Sequence, residues 1–170
     1  MERGGKLQTV TSNDAKLRLV PPLADGDWRE ARRLIEQYAA SLNVDLCFQN
    51  FAHEIEHLAQ EYGPPAGAFL LAVESGIKLG CVGLRRISDD VAEMKRLYAL
   101  PAARGRGVGR LLAEGIIDAS RGLGYATVVL DTLPSMKEAQ SLYATLGFKP
   151  TSAYRFNPVP GTAYLELNLR

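Results

Sequence analysis

Residues 16–20 alternate apolar and polar and halt at Pro21-Pro22, which predicts a short opening strand. From 28 to 41, Trp28, Leu34, Ile35 and Tyr38 share one side at helical spacing, and Asp25 or Asp27 is placed to cap the first turn. Residues 44–50 read as a loop. A second helical stretch, 51–62, carries Phe51, Ile55, Leu58 and Tyr62 on one stripe and stops before Gly63-Pro64-Pro65. The period then changes. Residues 68–73 and 77–86 are β-prone runs around a Glu74-Ser75-Gly76 turn and predict a hairpin. A third run, 91–99, ends at Pro101. Val108, Leu111, Leu112, Gly115, Ile116 and Ala119 then recur three and four apart on a helix that Gly122 and Gly124 terminate. Residues 127–130 predict a buried strand. Residues 135–146 predict a helix with Ala139, Leu142, Tyr143 and Leu146 on one face and Gly147 as its stop. Two closing strands, 149–156 and 162–169, flank the turn-rich Asn157-Pro158-Val159-Pro160-Gly161.

This β-α-α-β-β-β-α-β-α-β-β order has no internal repeat and no linker. It predicts an α/β (α+β) fold, a mixed sheet covered by helices on both faces. Residues 16–170 are expected to form one domain, preceded by a flexible polar arm at 1–15.

Composition narrows the function classes. At 170 residues, 46% hydrophobic and 23% charged, the chain is long enough to bury a core. A net charge of +1 gives no broad attraction to nucleic acid or to an anionic membrane, and neither partner is expected. Cys47 and Cys81 form no CxxC pair, and Cys81 lies in an apolar run and reads as core. No run approaches a membrane span and the first residues lack an apolar signal stretch, so a cytoplasmic location is expected.

The basic residues gather instead at Arg104-Gly105-Arg106-Gly107-Val108-Gly109-Arg110, between a predicted strand and a predicted helix. Alternate glycines let the backbone turn tightly and approach a ligand. The first N–H groups of the helix lack internal partners and, with the helix dipole, suit a pyrophosphate. A dinucleotide fingerprint would need a third glycine where Arg110 stands, and a P-loop would need Gly-Lys-Ser/Thr. Taken alone, the loop fits a phosphate cradle or an ordinary glycine-rich turn equally well.

A second motif competes. His53-Glu54-Ile55-Glu56-His57 matches the H-E-x-x-H pattern, in which two histidines one helical turn apart bind zinc and the glutamate acts as base, a metalloprotease arrangement. A third ligand would have to be a carboxylate such as Glu74. The histidines fall opposite the apolar stripe, so a solvated helix face is expected here and no metal.

Arg104-x-x-Gly107-x-Gly109 resembles the (Gln/Arg)-x-x-Gly-x-(Gly/Ala) loop of the GNAT (GCN5-related N-acetyltransferase) family. Glu93-Met94-Lys95-Arg96-Leu97-Tyr98 before it resembles the family's fourth strand. Ala139-x-x-Leu142-Tyr143-x-x-x-Gly147-Phe148 resembles its A-x-x-L-Y-x-x-x-G-F segment. The resemblance covers 16–170, with its specific part between 91 and 148. The stretches 130–138 and 157–161 resemble a bacterial branch of the family. Met136 stands where many relatives carry Asn, so no side-chain amide meets the pantetheine arm there.

The resemblance implies an N-acetyltransferase that moves the acetyl group of acetyl-CoA to a primary amine by direct attack in a ternary complex. Backbone groups of Leu97, Tyr98 and Ala99 would pair with the pantetheine, and the Tyr98 N–H would meet the charge developing on the thioester oxygen. Arg104, Arg106, Arg110 and the N–H groups of Gly105, Gly107, Val108 and Gly109 would hold the phosphates. Glu93 is the expected base, acting through a water, or else a strand carboxylate paired with Lys95 or another base. Tyr143 is the expected acid beside the CoA sulfur, with its ring packed in the core. The acceptor would meet Phe48, Gln49 and Phe51 and the segment holding Tyr154 and Asn157. Many relatives are dimers, so a homodimer is one expected assembly. A non-catalytic acyl-CoA-binding module is the alternative.

Overall fold

The computed structural model describes residues 16–47 and 50–170. The expected arm at 1–15 and the acceptor candidates Phe48 and Gln49 lie outside the described residues. The strands are β1 (Arg18–Val20), β2 (Ala68–Glu74), β3 (Ile77–Arg86), β4 (Val91–Ala99), β5 (Thr127–Thr132), β6 (Lys149–Pro150) and β7 (Ala163–Asn168). The α-helices are α1 (Asp25–Leu42), α2 (Phe51–Glu56), α3 (Leu58–Tyr62), α4 (Val108–Gly122) and α5 (Lys137–Thr145). The strands form one sheet in the order β1-β2-β3-β4-β5-β7-β6, antiparallel except for the parallel β4–β5 pair. The expected mixed sheet with helices on both faces is present.

β1 to β4 split their apolar residues between two cores, as a period of two requires, whereas β5 and β7 add to one of them. Phe69, Leu71 and Val73 of β2 pack with Ala31, Leu34 and Ile35 of α1 and with Ile55, Leu58 and Tyr62 of α2 and α3. Ala72, Leu84, Met94, Val128 and Leu130 face Val108, Leu112, Ile116 and Ile117 of α4 and Tyr143 of α5. Cys81 is fully buried. Gly115 lets α4 lie close on the sheet, because a Cβ there would stand 2.3 Å from Leu19 Cδ1. Asp27 is the residue that closes the start of α1, its Oδ2 accepting the Leu23 and Ala24 N–H groups at 3.1 and 3.3 Å. No helix among the described residues is long and apolar enough to cross a membrane.

Three departures from the sequence reading shape the site. First, the stretch 51–62 is two helices parted at His57, whose φ is −126°. The His57 N–H keeps its helical bond to the His53 carbonyl (3.1 Å), which the ring Nδ1–H also meets (2.9 Å), but it donates as well to the Glu54 carbonyl (3.1 Å), the acceptor that the Leu58 N–H would need for the helix to run on. Second, β4 carries a bulge. Cys81 pairs with Tyr98 and Gly83 with Lys95, so Arg96 and Leu97 both oppose Val82, and Arg96 adopts φ 60°. Third, the strand expected over 149–156 ends at Pro150 after two residues. Only the Thr151 N–H continues the ladder, to the Tyr164 carbonyl. The chain then leaves the sheet because Tyr154, Arg155 and Asn157 bond across to the side chains of β4 and β5 described below.

Candidate active site

β4 and β5 are paired only at Val91–Thr127, Ala92–Val128 and Glu93–Val129. Beyond Glu93, β4 pairs with β3 alone, and beyond Val129, β5 pairs with β7 alone. The sheet therefore splits, and the split opens toward the N-terminus of α4. A groove of about 750 Å³ runs there between Leu97, Tyr98 and Ala99 on one side and the start of α5 on the other, with Arg104, Gly105, Gly107, Gly109 and Arg110 at its end.

Local backbone chemistry makes that end. Gly105 and Gly107 take φ of 75° and 78°, which side chains rarely adopt, and Gly107 caps α4. A Cβ at either would meet nothing within 4 Å, so the turn is an open cradle. The N–H groups that follow are the unpaired donors of a 15-residue helix. Arg104 is exposed and lines the groove. Arg110 is held by Thr145 Oγ1 at 2.7 Å and Glu114 at 3.2 Å, at the groove edge. Arg106, expected at the phosphates, instead lies on Glu74 at 2.6 Å and does not line the groove, because the β2–β3 turn brings that carboxylate alongside.

Where the groove meets the split, a smaller cavity of about 40 Å³ lies between Met94–Leu97 of β4 and Leu130–Leu133. Tyr38 and Leu42 of α1, Met136, Tyr143 and Asn157 close it. Tyr143 is buried and packs on Phe148 with ring centroids 5.6 Å apart. Burial raises its phenol pKa, so it holds its proton at neutral pH. The buried Thr132 hydroxyl, from the cavity wall, has no hydrogen-bond partner among the described residues. The open glycine cradle, the unpaired helix N–H groups and this hydroxyl fit a long ligand with an anionic end and polar amide groups.

The opposite face of the split carries a charged network. Glu93 is 1% exposed. Its Oε2 accepts from Arg85 Nε at 2.8 Å, and its Oε1 from the Tyr154 hydroxyl at 2.9 Å, with Arg155 Nη2 at 3.3 Å. Glu93 is thus a strand carboxylate held by the two guanidinium groups of Arg85 and Arg155. Arg155 also reaches Asp131 Oδ1 at 2.8 Å, and Asn157 Nδ2 donates to Asp131 Oδ2 at 2.9 Å. Asp131 pays for its burial through these cations and donors, which hold its pKa below the ordinary value. Arg96, turned inward by the bulge, meets Glu54 twice, Nε–Oε1 at 2.8 Å and Nη2–Oε2 at 2.6 Å. Tyr62 donates to Glu54 Oε1 at 2.6 Å, and Phe51 lies under the guanidinium at 5.2 Å.

The H-E-x-x-H segment is thereby placed. Glu54 is buried in an ion pair rather than on a solvated face, whereas His53 is half exposed and stacks on His57 with centroids 4.1 Å apart. Glu74 is engaged by Arg106. Among the described residues no group of three or more His, Cys, Asp and Glu is set to hold a metal ion.

Lys95 is a residue that sequence reading offers only as a partner of Glu93. It lines the cavity and is 6% exposed. Burial is the main cause that lowers its pKa from 10.5 to about 7. Arg96, Arg85 and Arg155 add to the fall, and Glu93 opposes it. Below about pH 7 the folded protein carries Lys95 as a buried cation, with its full desolvation cost. Between about 7 and 10.5 the unfolded chain holds the extra proton, so stability rises with pH. Lys95→Met is therefore expected to stabilise the protein by roughly 1–4 kcal/mol at pH 6. The advantage should narrow above pH 7, and urea unfolding at pH 6 and pH 9 checks this.

Comparison with known proteins agrees with this geometry. The chain matches the model of the Acetyltransferase (GNAT) family over residues 31–148, more than half its length, and it belongs to that family. A relative in Schizosaccharomyces pombe, named as an uncharacterized N-acetyltransferase, is 40% identical over 145 residues, covering 84% of this chain and 89% of its own. The similarity thus extends to fungi. A GNAT-family acetyltransferase structure from Staphylococcus aureus superposes with a TM-score of 0.76 at 18% identity, covering 91% of this chain and all of its own. An acetyltransferase of Salmonella typhimurium solved with its cofactor acetyl-CoA gives 0.65 at 20% identity, covering 91% and 94%. The protein is a GNAT-family N-acetyltransferase.

Proposed function

We propose that the chain transfers the acetyl group of acetyl-CoA to the primary amine of an acceptor that enters from the charged side of the split. The observation that carries this reading is the parting of β4 from β5 beside an open glycine turn at a helix N-terminus. The N–H groups from Gly105 to Arg110 and the Arg104 guanidinium hold the phosphates. Backbone groups of Leu97, Tyr98 and Ala99, along the bulged strand, pair with the pantetheine arm. The Tyr98 N–H meets the negative charge that develops on the thioester oxygen. Tyr143 supplies a proton to the departing sulfur. Tyr154 and Asn157 act on the acceptor side by holding Glu93 and Asp131 in place. Phe51 acts there through Arg96. Glu93, held by two arginines and a phenol and absent from the cavity wall, keeps Arg155 and Tyr154 in position and takes no proton itself.

The test is calorimetric titration with acetyl-CoA, followed by release of free CoA thiol across amino acids, polyamines and arylalkylamines. Absence of acetyl-CoA binding would end the reading. Gly107→Val places a branched side chain at φ 78°, where the backbone strains even though the space is open. The dissociation constant for acetyl-CoA is expected to rise by roughly tenfold. An unchanged affinity would remove the turn from the phosphate site.

A further inference from the structure

We propose that Lys95 is the group that takes the proton from the acceptor amine. The proposal rests on the acetyl-transfer reading above and adds a catalytic residue to it.

An acceptor amine is mostly an ammonium ion at neutral pH and must lose a proton before its lone pair can attack. A proton acceptor must open on the reaction cavity and must be basic near working pH. Three carboxylates lie in the region. Glu54 is consumed on both oxygens by Arg96 and accepts the Tyr62 hydroxyl as well. Glu93 is closed in by Arg85, Tyr154 and Arg155 and does not line the cavity. Asp131 does line it, but Arg155 and Asn157 hold the carboxylate in its ionised form and make it a weak base. Neither histidine lines it.

Lys95 shares the cavity wall with Tyr143. It stands one residue before the bulge, on the strand that flanks the split. The charged groups acting on it come from every side: Glu93 and Arg96 of β4, Arg85 of β3, Arg155 of the segment after β6, Asp131 of β5 and Glu54 of α2. Burial and the three arginines bring its titration to about pH 7, so the uncharged amine is well populated at neutral pH.

The protons balance. Lys95 Nζ takes one proton from the acceptor ammonium, freeing its lone pair. The new C–N bond forms as the C–S bond breaks. Tyr143 gives its proton to sulfur and regains one from the acylated nitrogen, and Lys95 later releases its own to solvent.

Two measurements test this. Competitive labelling of the whole protein with acetic anhydride from pH 6 to 10, read by mass spectrometry, should give Lys95 a midpoint near 7 and exposed lysines midpoints near 10. With the best amine from the CoA-release screen, kcat should show an acidic limb near pH 7. Lys95→Arg keeps the cation but cannot accept a proton, so it should lower kcat by about 100-fold or more and erase the limb. Glu93→Gln removes the carboxylate that raises the Lys95 pKa most, so the limb should survive and move to lower pH. A Lys95 midpoint near 10, an unchanged limb in Lys95→Arg, or a limb lost only in Glu93→Gln would overturn the proposal. Acetyl-CoA binding with no CoA release from any amine, while Lys95 still labels near pH 7, would instead overturn the acetyl-transfer reading.

Discussion

Glu54→Ala is expected to destabilise the protein by roughly 3–5 kcal/mol, read as a fall in the urea midpoint at constant slope. Glu54 is 2% exposed and the Arg96 side chain 3%, so the guanidinium left behind has little water to turn to. Burial opposes the carboxylate's charge, but hydrogen bonds and attraction from Arg96 outweigh it and lower the Glu54 pKa. The pair also holds Arg96 in its left-handed conformation, which is unfavourable by roughly 1–2 kcal/mol for a residue with a side chain. Losing the carboxylate frees that bend to relax, so β4 beside the cavity should shift as well. Glu54→Leu combined with Arg96→Leu removes both charges together and should recover much of the stability but not the turnover. Equal losses in the single and double variants would show that the ion pair is not what fixes α2 to the sheet.

Tyr143→Phe should lower kcat by about 100-fold, with the dissociation constant for acetyl-CoA changed by less than about threefold. The phenyl ring keeps the packing on Phe148, and only the hydroxyl is lost. Burial keeps that hydroxyl protonated across the neutral range, which suits a donor to a leaving thiolate. Steady-state rates of thiol release and a calorimetric titration separate the two effects. Unchanged turnover would leave Tyr143 as a core residue alone.

The glycine turn was legible because its chemistry is local. Three glycines at alternate positions before a helical stripe say enough about backbone freedom and free N–H groups. The charged network was not, because its partners are distant in sequence. Arg96 meets Glu54 across 42 positions and Tyr154 meets Glu93 across 61. Glu54 did carry a trace: it precedes Leu58 by one turn and Tyr62 by two, so it borders the apolar stripe that His53 and His57 avoid. Lys95 carried one too, since Glu93-Met94-Lys95-Arg96 puts three charges into a strand that the topology buries. The bulge at Arg96 had no signal, because a non-glycine left-handed residue announces nothing in a sequence. The strand expected over 149–156 is overextended for a related reason. Past Thr151 the ladder is exchanged for side-chain bonds to Glu93 and Asp131, and no periodicity reports such an exchange.

Three residue pairs tie β1–β4 to β5–β7 within the sheet. A molecule lying in the gap and offering amides to both banks would act as mortar as much as reagent. The enzyme should therefore resist melting and proteolytic cutting better when charged with its acetyl donor, and soften again each time the spent carrier leaves.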